Sequence, residues 1–203
     1  MLELAPSEQL AYICHDIHND SHKAGGKYPD AGKAPGTAEY IGRHARLLEA
    51  ARAAGLEVFF TGHFLRPDYR DAVMFGNSPK YGALLDGTWG AAVIDELKPL
   101  PNEWVIRKGG GMSAFTGTPF AQWLHRCGIK QFIIAGGATH AGIESTVRSA
   151  RDLDFKTVVV EDACRGGSDG HHEASIFNMS TFAQIASTDE VVEALKARAA
   201  VRK

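Results

Sequence analysis

Three stretches of this chain hold the residue types that acid–base or nucleophilic chemistry needs, and each closes an apolar run. Gly136 to Thr146, GGATHAGIEST, follows Phe132-Ile133-Ile134 and opens a helical pattern in which Ile143, Val147 and Ala150 recur at i, i+4 and i+7. A strand that feeds a glycine turn into a helix gathers backbone N–H groups and the positive end of a helix dipole at one point. A nucleophile or an anionic transition state can be held there. His15-Asp16 ends a second apolar run, and Lys108 ends a third, ahead of Gly109-Gly110-Gly111. At the carboxyl ends of strands one, three and four of a parallel sheet, these bring a carboxylate, an ammonium and a backbone nest to one crevice.

That convergence requires a parallel sheet, and the chain is patterned for one. Apolar runs alternate with helix-period segments, which predicts an α/β fold, a three-layer Rossmann-like sandwich with a six-stranded parallel sheet. Strands are expected near Leu10–Cys14, Leu56–Thr61, Glu103–Arg107, Gln131–Ala135, Lys156–Glu161 and Gln184–Ala186. Helices are expected near Ala38–Ala53, Phe120–His125, His140–Leu153, His172–Phe182 and Glu190–Ala199. Thr118-Pro119 places a capping hydroxyl before a proline at the first helical position, and Ser187 with Glu190 forms a capping box. Two segments break the pattern: Gly25–Pro35, and Gly62–Gly90, which holds His63, Arg66, Asp68, Tyr69, Arg70, Tyr81 and Trp89. Long irregular segments in compact domains tend to carry function, and the second leaves the end of a strand where such sheets bind ligands.

Composition narrows the partners. The 203 residues are 44% hydrophobic, enough for a packed core, and are expected to form a single domain over 1–203. Lys and Arg number 22 against 24 Asp and Glu, with no basic run, so neither nucleic acid nor an anionic membrane is an expected partner. A small-molecule substrate fits better. No apolar stretch approaches the roughly 20 residues of a membrane span, and MLELAPSEQ lacks a basic region followed by an apolar one, so a cytoplasmic protein is expected. Cys14, Cys127 and Cys164 are odd in number and widely spaced, which points to reduced thiols.

The chemistry-bearing residues carry a resemblance. His15-Asp16-Ile17-His18-Asn19-Asp20 resembles the DxQND motif of the isochorismatase-like hydrolases, and Lys108 followed by Ser113-Ala114-Phe115 and Thr118 resembles their lysine strand. Gly136 to Gly142 is similar to their GxxTxxC turn, and Asp162-Ala163-Cys164 followed by His172-Glu173-Ala174 to a habitual DAC…HEA segment. The resemblance spans nearly the whole chain in order. It implies a six-stranded parallel sheet between helix layers, an Asp-Lys-Cys triad, self-association into a homo-oligomer, and a non-prolyl cis peptide between Gly137 and Ala138.

The departures from that pattern matter as much. Gly142 stands where the triad has its cysteine, so the thioester route of the family's amidases lacks its nucleophile. Isochorismatase proper offers the precedent of glycine there. The resemblance then implies protonation of an enol ether by Asp16 as general acid, followed by water attack, on a substrate whose carboxylate Lys108 holds. For this the Asp16 carboxyl must stay protonated near neutrality. Catalytic positions are accordingly Asp16, Lys108 and Gly142, with Ala138, Thr139, Ala141, His63, Arg66, Ser113 and Phe115 as substrate-binding candidates. The interval from Lys108 to Ser113 is one residue longer than usual. Thr61-Gly62-His63 lacks the pair that completes a metal set, and His171-His172 reads as a helix start, so no metal and no cofactor is expected. Two alternatives stay open: an amidase-like C–N hydrolase using Cys164 or a water activated by Asp16, and a catalytically silent ligand-binding protein.

Overall fold

The computed structural model describes residues 2–72 and 76–201. Six strands, β1 (Leu10–His15), β2 (Glu57–His63), β3 (Trp104–Lys108), β4 (Gln131–Gly137), β5 (Lys156–Arg165) and β6 (Gln184–Ala186), form one sheet in the order β3-β2-β1-β4-β5-β6. Every pairing is parallel. The helices are α1 (Asn19–His22), α2 (Thr37–Ala53), α3 (Ser78–Tyr81), α4 (Phe120–Arg126), α5 (Glu144–Asp152), α6 (Asp169–Met179) and α7 (Thr188–Val201), with a π-type turn over Thr139–Ile143 ahead of α5.

The two-residue period of a strand sends its side chains alternately to either face, so a sheet covered on both sides needs apolar residues at nearly every position. β1 is buried along its whole length. Its Leu10, Tyr12 and Cys14 pack with Leu47 and Leu48 of α2 and Val191 and Leu195 of α7. Ala11 and Ile13 face the other core, with Phe120 and Leu124 of α4, Val147 and Ala150 of α5 and Met179 of α6. Two cores on opposite faces of one sheet make three layers. Phe132 shows the packing at stake: it is fully buried among the rings of Phe115, Phe120 and Phe155, and truncating such a side chain costs about 3–5 kcal/mol.

The strand order reverses between β1 and β4, so their following loops diverge and open a crevice at the carboxyl edge. The irregular segments roof it. In Gly62–Gly90 the described residues include α3 and a satellite core of Leu65, Ala83 and Leu84 packed against Tyr28, Tyr69, Ala72 and Tyr81; residues 73–75 lie outside the described set. Asp20 ties both segments to the end of β1, its buried carboxylate accepting the Leu84 N–H at 2.7 Å and the Lys27 N–H at 3.0 Å. Among the described residues no helix is long and apolar enough to cross a membrane.

Several boundaries differ from expectation for identifiable reasons. β5 runs on to Arg165 because the β4 pairing shifts register between Ile134 and Gly136 and then resumes at Cys164 and Arg165. α6 begins at Asp169, three residues early, on a Ser168–His171 capping box with histidine in the usual Glu or Gln position. Pro119 is the N-cap of α4 rather than its first residue, and the Thr118 hydroxyl accepts the Phe120 N–H at 3.3 Å. The Ser187–Glu190 box forms in both directions, at 2.8 and 3.3 Å.

Candidate active site

Asp16 follows the last residue of β1 in the left-handed backbone region, with φ of 58°. Aspartate tolerates this conformation better than most side chains. Its N–H is satisfied by the Thr61 carbonyl at 3.0 Å, and the turn aims its carboxylate across β2 to Lys108 at the end of β3. Lys108 is 1% exposed. Its Nζ donates to Asp16 Oδ2 at 2.7 Å and to the Met112 carbonyl at 3.0 Å, so the Gly109–Gly111 run leaves Lys108 in the site.

Burial alone would raise the Asp16 pKa, but His15, Lys108 and His63 together outweigh it and hold the carboxyl well below the usual range. The ammonium of Lys108 at 2.7 Å is the permanent charge among them. Asp16 is therefore ionised at neutral pH, which corrects the expectation of a protonated general acid. Lys108, spent on this pair, is also not free to hold a substrate carboxylate.

Three imidazoles surround the carboxylate. His15 is fully buried, with burial pushing its pKa down to about 3; its Nδ1 lies 2.7 Å from the Thr61 hydroxyl and its Nε2 3.3 Å from Asp16 Oδ2. His63 places Nε2 at 3.3 Å from the same oxygen, and its Nδ1 faces the Gly109 carbonyl at 2.5 Å, where only an N–H can bond. His18 receives the His63 N–H on Nε2 at 3.0 Å, so its Nδ1–H donates to the Ala91 carbonyl at 2.7 Å; burial lowers its pKa to about 4. Among the described residues no cluster of three or more His, Cys, Asp or Glu is disposed to hold a metal ion.

Opposite Asp16 stands the turn after β4. The Gly137–Ala138 peptide is cis, the chain then enters the Thr139–Ile143 turn, and buried Gly142 faces His15. A cavity of about 490 Å³ opens here, with Asp16, His63, Ala138, Ala141 and Gly142 in its wall. The irregular segments add Tyr28, Leu65, Asn77 and Ser78, and β5 adds Arg165.

A family model described as the isochorismatase domain matches residues 11–190. The chain belongs to the isochorismatase family. It is 32% identical over 200 residues to the ureidoacrylate amidohydrolase RutB of Rhizobium rhizogenes, covering 89% of this chain and 80% of that one. An isochorismatase family protein from Desulfovibrio vulgaris superposes with a TM-score of 0.81 at 28% identity, covering 93% of this chain and 98% of that one. A cysteine hydrolase from Pseudomonas syringae pv. phaseolicola superposes with a TM-score of 0.84 at 21% identity, covering 98% and 97%, a likeness of fold. The chain is an isochorismatase-like hydrolase with the six-stranded parallel sheet of that fold.

Other residues anticipated in the site of this isochorismatase-family chain lie elsewhere. Arg66 is exposed and paired at 2.9 Å with Asp68, which Arg70 also approaches. The Ser113 hydroxyl bonds to Ser149 at 3.0 Å. Phe115 packs against Phe120, Phe132 and Phe155 in the core. The Thr139 hydroxyl lies 3.0 Å from His172 Nδ1, outside the cavity wall. Cys164 is buried in β5 beside Gly136 of β4, and burial pushes its thiol up to about 12, so it is no activated nucleophile. Arg165, His18, His22 and Tyr28 line the cavity without having been singled out as site residues. A lone arginine two glycines before a helix start carries no local signal of its role.

Proposed function

We propose that this hydrolase cleaves the C–N bond of a small, negatively charged amide or ureido compound, with water as nucleophile and no covalent thiol step. The observation that carries the reading is an ionised Asp16, held by Lys108, facing Gly142, a position with no side chain to attack. An ionised carboxylate cannot protonate carbon, which is what enol-ether cleavage asks of it; it can orient a water whose proton passes to a neighbouring base. The name of the ureidoacrylate amidohydrolases, about a third identical to this chain, supports a C–N bond as the target.

His63 completes the proton path. With Nδ1–H bonded to the Gly109 carbonyl, its Nε2 lies 3.3 Å from Asp16 Oδ2, inside the cavity wall, placed to exchange a proton with the carboxylate or with a water beside it. The proton leaving the water passes to this Asp16–His63 pair and from it to the departing nitrogen. The oxyanion that forms lies against the backbone of Ala138, Ala141 and Gly142, which face the cavity. Charge in the cavity sets the substrate class. Lys108 offsets Asp16, and the Arg165 guanidinium bonds to Thr37 Oγ1 at 3.1 Å and the Pro35 carbonyl at 3.5 Å and lies 4.8 Å over the Tyr40 ring, with no carboxylate partner among the described residues. Its guanidinium is the group that receives a substrate anion.

The test is a panel of ureido acids, simple amides and enol ethers, followed by release of ammonia or amine and of enol-derived ketone. Turnover of a ureido or amide acid that drops about 10²–10⁴-fold in Asp16→Asn supports the reading. Turnover confined to enol ethers overturns it.

A further inference from the structure

His15 is a fully buried imidazole whose Nε2 has no hydrogen-bond partner, and it points into the space between Asp16 and Gly142. A Cβ built on Gly142 would lie 2.5 Å from His15 Nε2 and 3.1 Å from Cδ2, with the Gly137 carbonyl oxygen at 3.2 Å. The ring is the nearest obstruction, and the Gly137 carbonyl leaves little room beside it. The same ring is anchored at its other nitrogen by Thr61 at 2.7 Å, so it cannot turn aside without losing that bond.

We propose that His15 and Gly142 are a matched pair that commits this site to water: the imidazole fills the volume a side chain at 142 needs and, protonated on Nε2, steadies Asp16 from the buried side. His15 is thus a positioning residue acting through Asp16. The proposal rests on the reading that no side chain is the nucleophile, but its test needs no substrate.

Hydrogen bonding assigns the tautomer. The Thr61 hydroxyl has one proton and two acceptors in range, His15 Nδ1 at 2.7 Å and Asp16 Oδ1 at 3.3 Å. Given to Asp16, it would force the His15 proton onto Nδ1 and leave a bare Nε2 lone pair 3.3 Å from the carboxylate, with no solvent between. Given to Nδ1 over the shorter distance, it leaves Nε2–H facing Asp16 Oδ2, an attraction in place of a repulsion. His63 differs because its Nε2 meets the cavity and can exchange its proton there.

The experiment compares Gly142→Cys, His15→Ala and the double variant by thermal denaturation, by peptide-mapped alkylation with iodoacetamide near neutral pH, and by nitrogen NMR of histidine-labelled parent protein. Gly142→Cys alone is expected to lose stability. Adding His15→Ala should restore part of it and make the introduced thiol, seated ahead of a helix start, react about tenfold faster than in Gly142→Cys alone. The His15 resonance, assigned by its absence in His15→Ala, should show Nε2 protonated. The proposal is overturned if Gly142→Cys is as stable as the parent, if its thiol reacts as fast with His15 present as without, if the double variant is no more stable than Gly142→Cys, or if His15 carries its proton on Nδ1.

Discussion

Acidification should destabilise this protein well before its carboxylates are protonated, because four histidines are buried uncharged. Burial lowers His15 and His44 to about 3, and His18 and His22 to about 4, against about 6.5 for an unfolded histidine. Each folded-state value is depressed, so each histidine's contribution is complete above about pH 6.5 and is lost as pH falls toward the folded value, the unfolded chain binding the proton first. At about pH 5.5 an unfolded histidine gains about 1.4 kcal/mol from protonation that its buried counterpart does not, and four such groups sum to about 5.6 kcal/mol. That is a large share of the 5–15 kcal/mol typical of whole domains. For about 200 residues it corresponds to a Tm lower by about 10–20 °C. Circular dichroism melts at about pH 7.5 and 5.5 read it directly, and His44→Leu should flatten the dependence by about a quarter by removing one of four equivalent protons. A Tm that moves by less than about 3 °C over this window would refute the assignment of four neutral buried imidazoles.

Three substitutions probe the site from different sides. Lys108→Met strands the Asp16 carboxylate in a buried setting and should cost about 3–5 kcal/mol in urea denaturation, a loss that a merely solvated lysine would not produce. Arg165→Gln should raise KM for anionic substrates about 10–100-fold at similar kcat and leave neutral amides unaffected; equal effects on both would remove Arg165 from anion recognition. Phe115→Ala should lower stability by about 1–3 kcal/mol without a selective rise in KM, as a half-buried ring packed against Phe120, Phe132 and Phe155 requires.

The strands were legible because a sheet buried on both faces writes itself as apolar runs, and all six fall where Leu10–Cys14 and its counterparts predict, to within a few residues. The convergence of Asp16, Lys108 and Gly142 followed from parallel order alone. What escaped depends on contacts between distant segments. α1 and α3 are four residues each, too short to show a period. Nothing local indicates that Phe115 turns toward the core, whereas the pairing of Asp68 with Arg66 and Arg70, two residues to either side, was open to reading in the sequence. The charge of Asp16 was misjudged because the groups that set it come from three strands, and their sum over distance and burial has no linear signature.

The central claim is hydrolysis by water without a thiol, and the most direct measurement is kcat/KM of a chain in which Cys14, Cys127 and Cys164 are all replaced by Ala, on the best substrate of the amide and ureido panel. Circular dichroism would confirm its fold. The expected result is activity within about threefold of the parent, since burial pushes the thiols of Cys14, Cys127 and Cys164 up and keeps them protonated. A folded cysteine-free protein that has lost turnover, beside a parent that traps a covalent adduct on a cysteine, would contradict it.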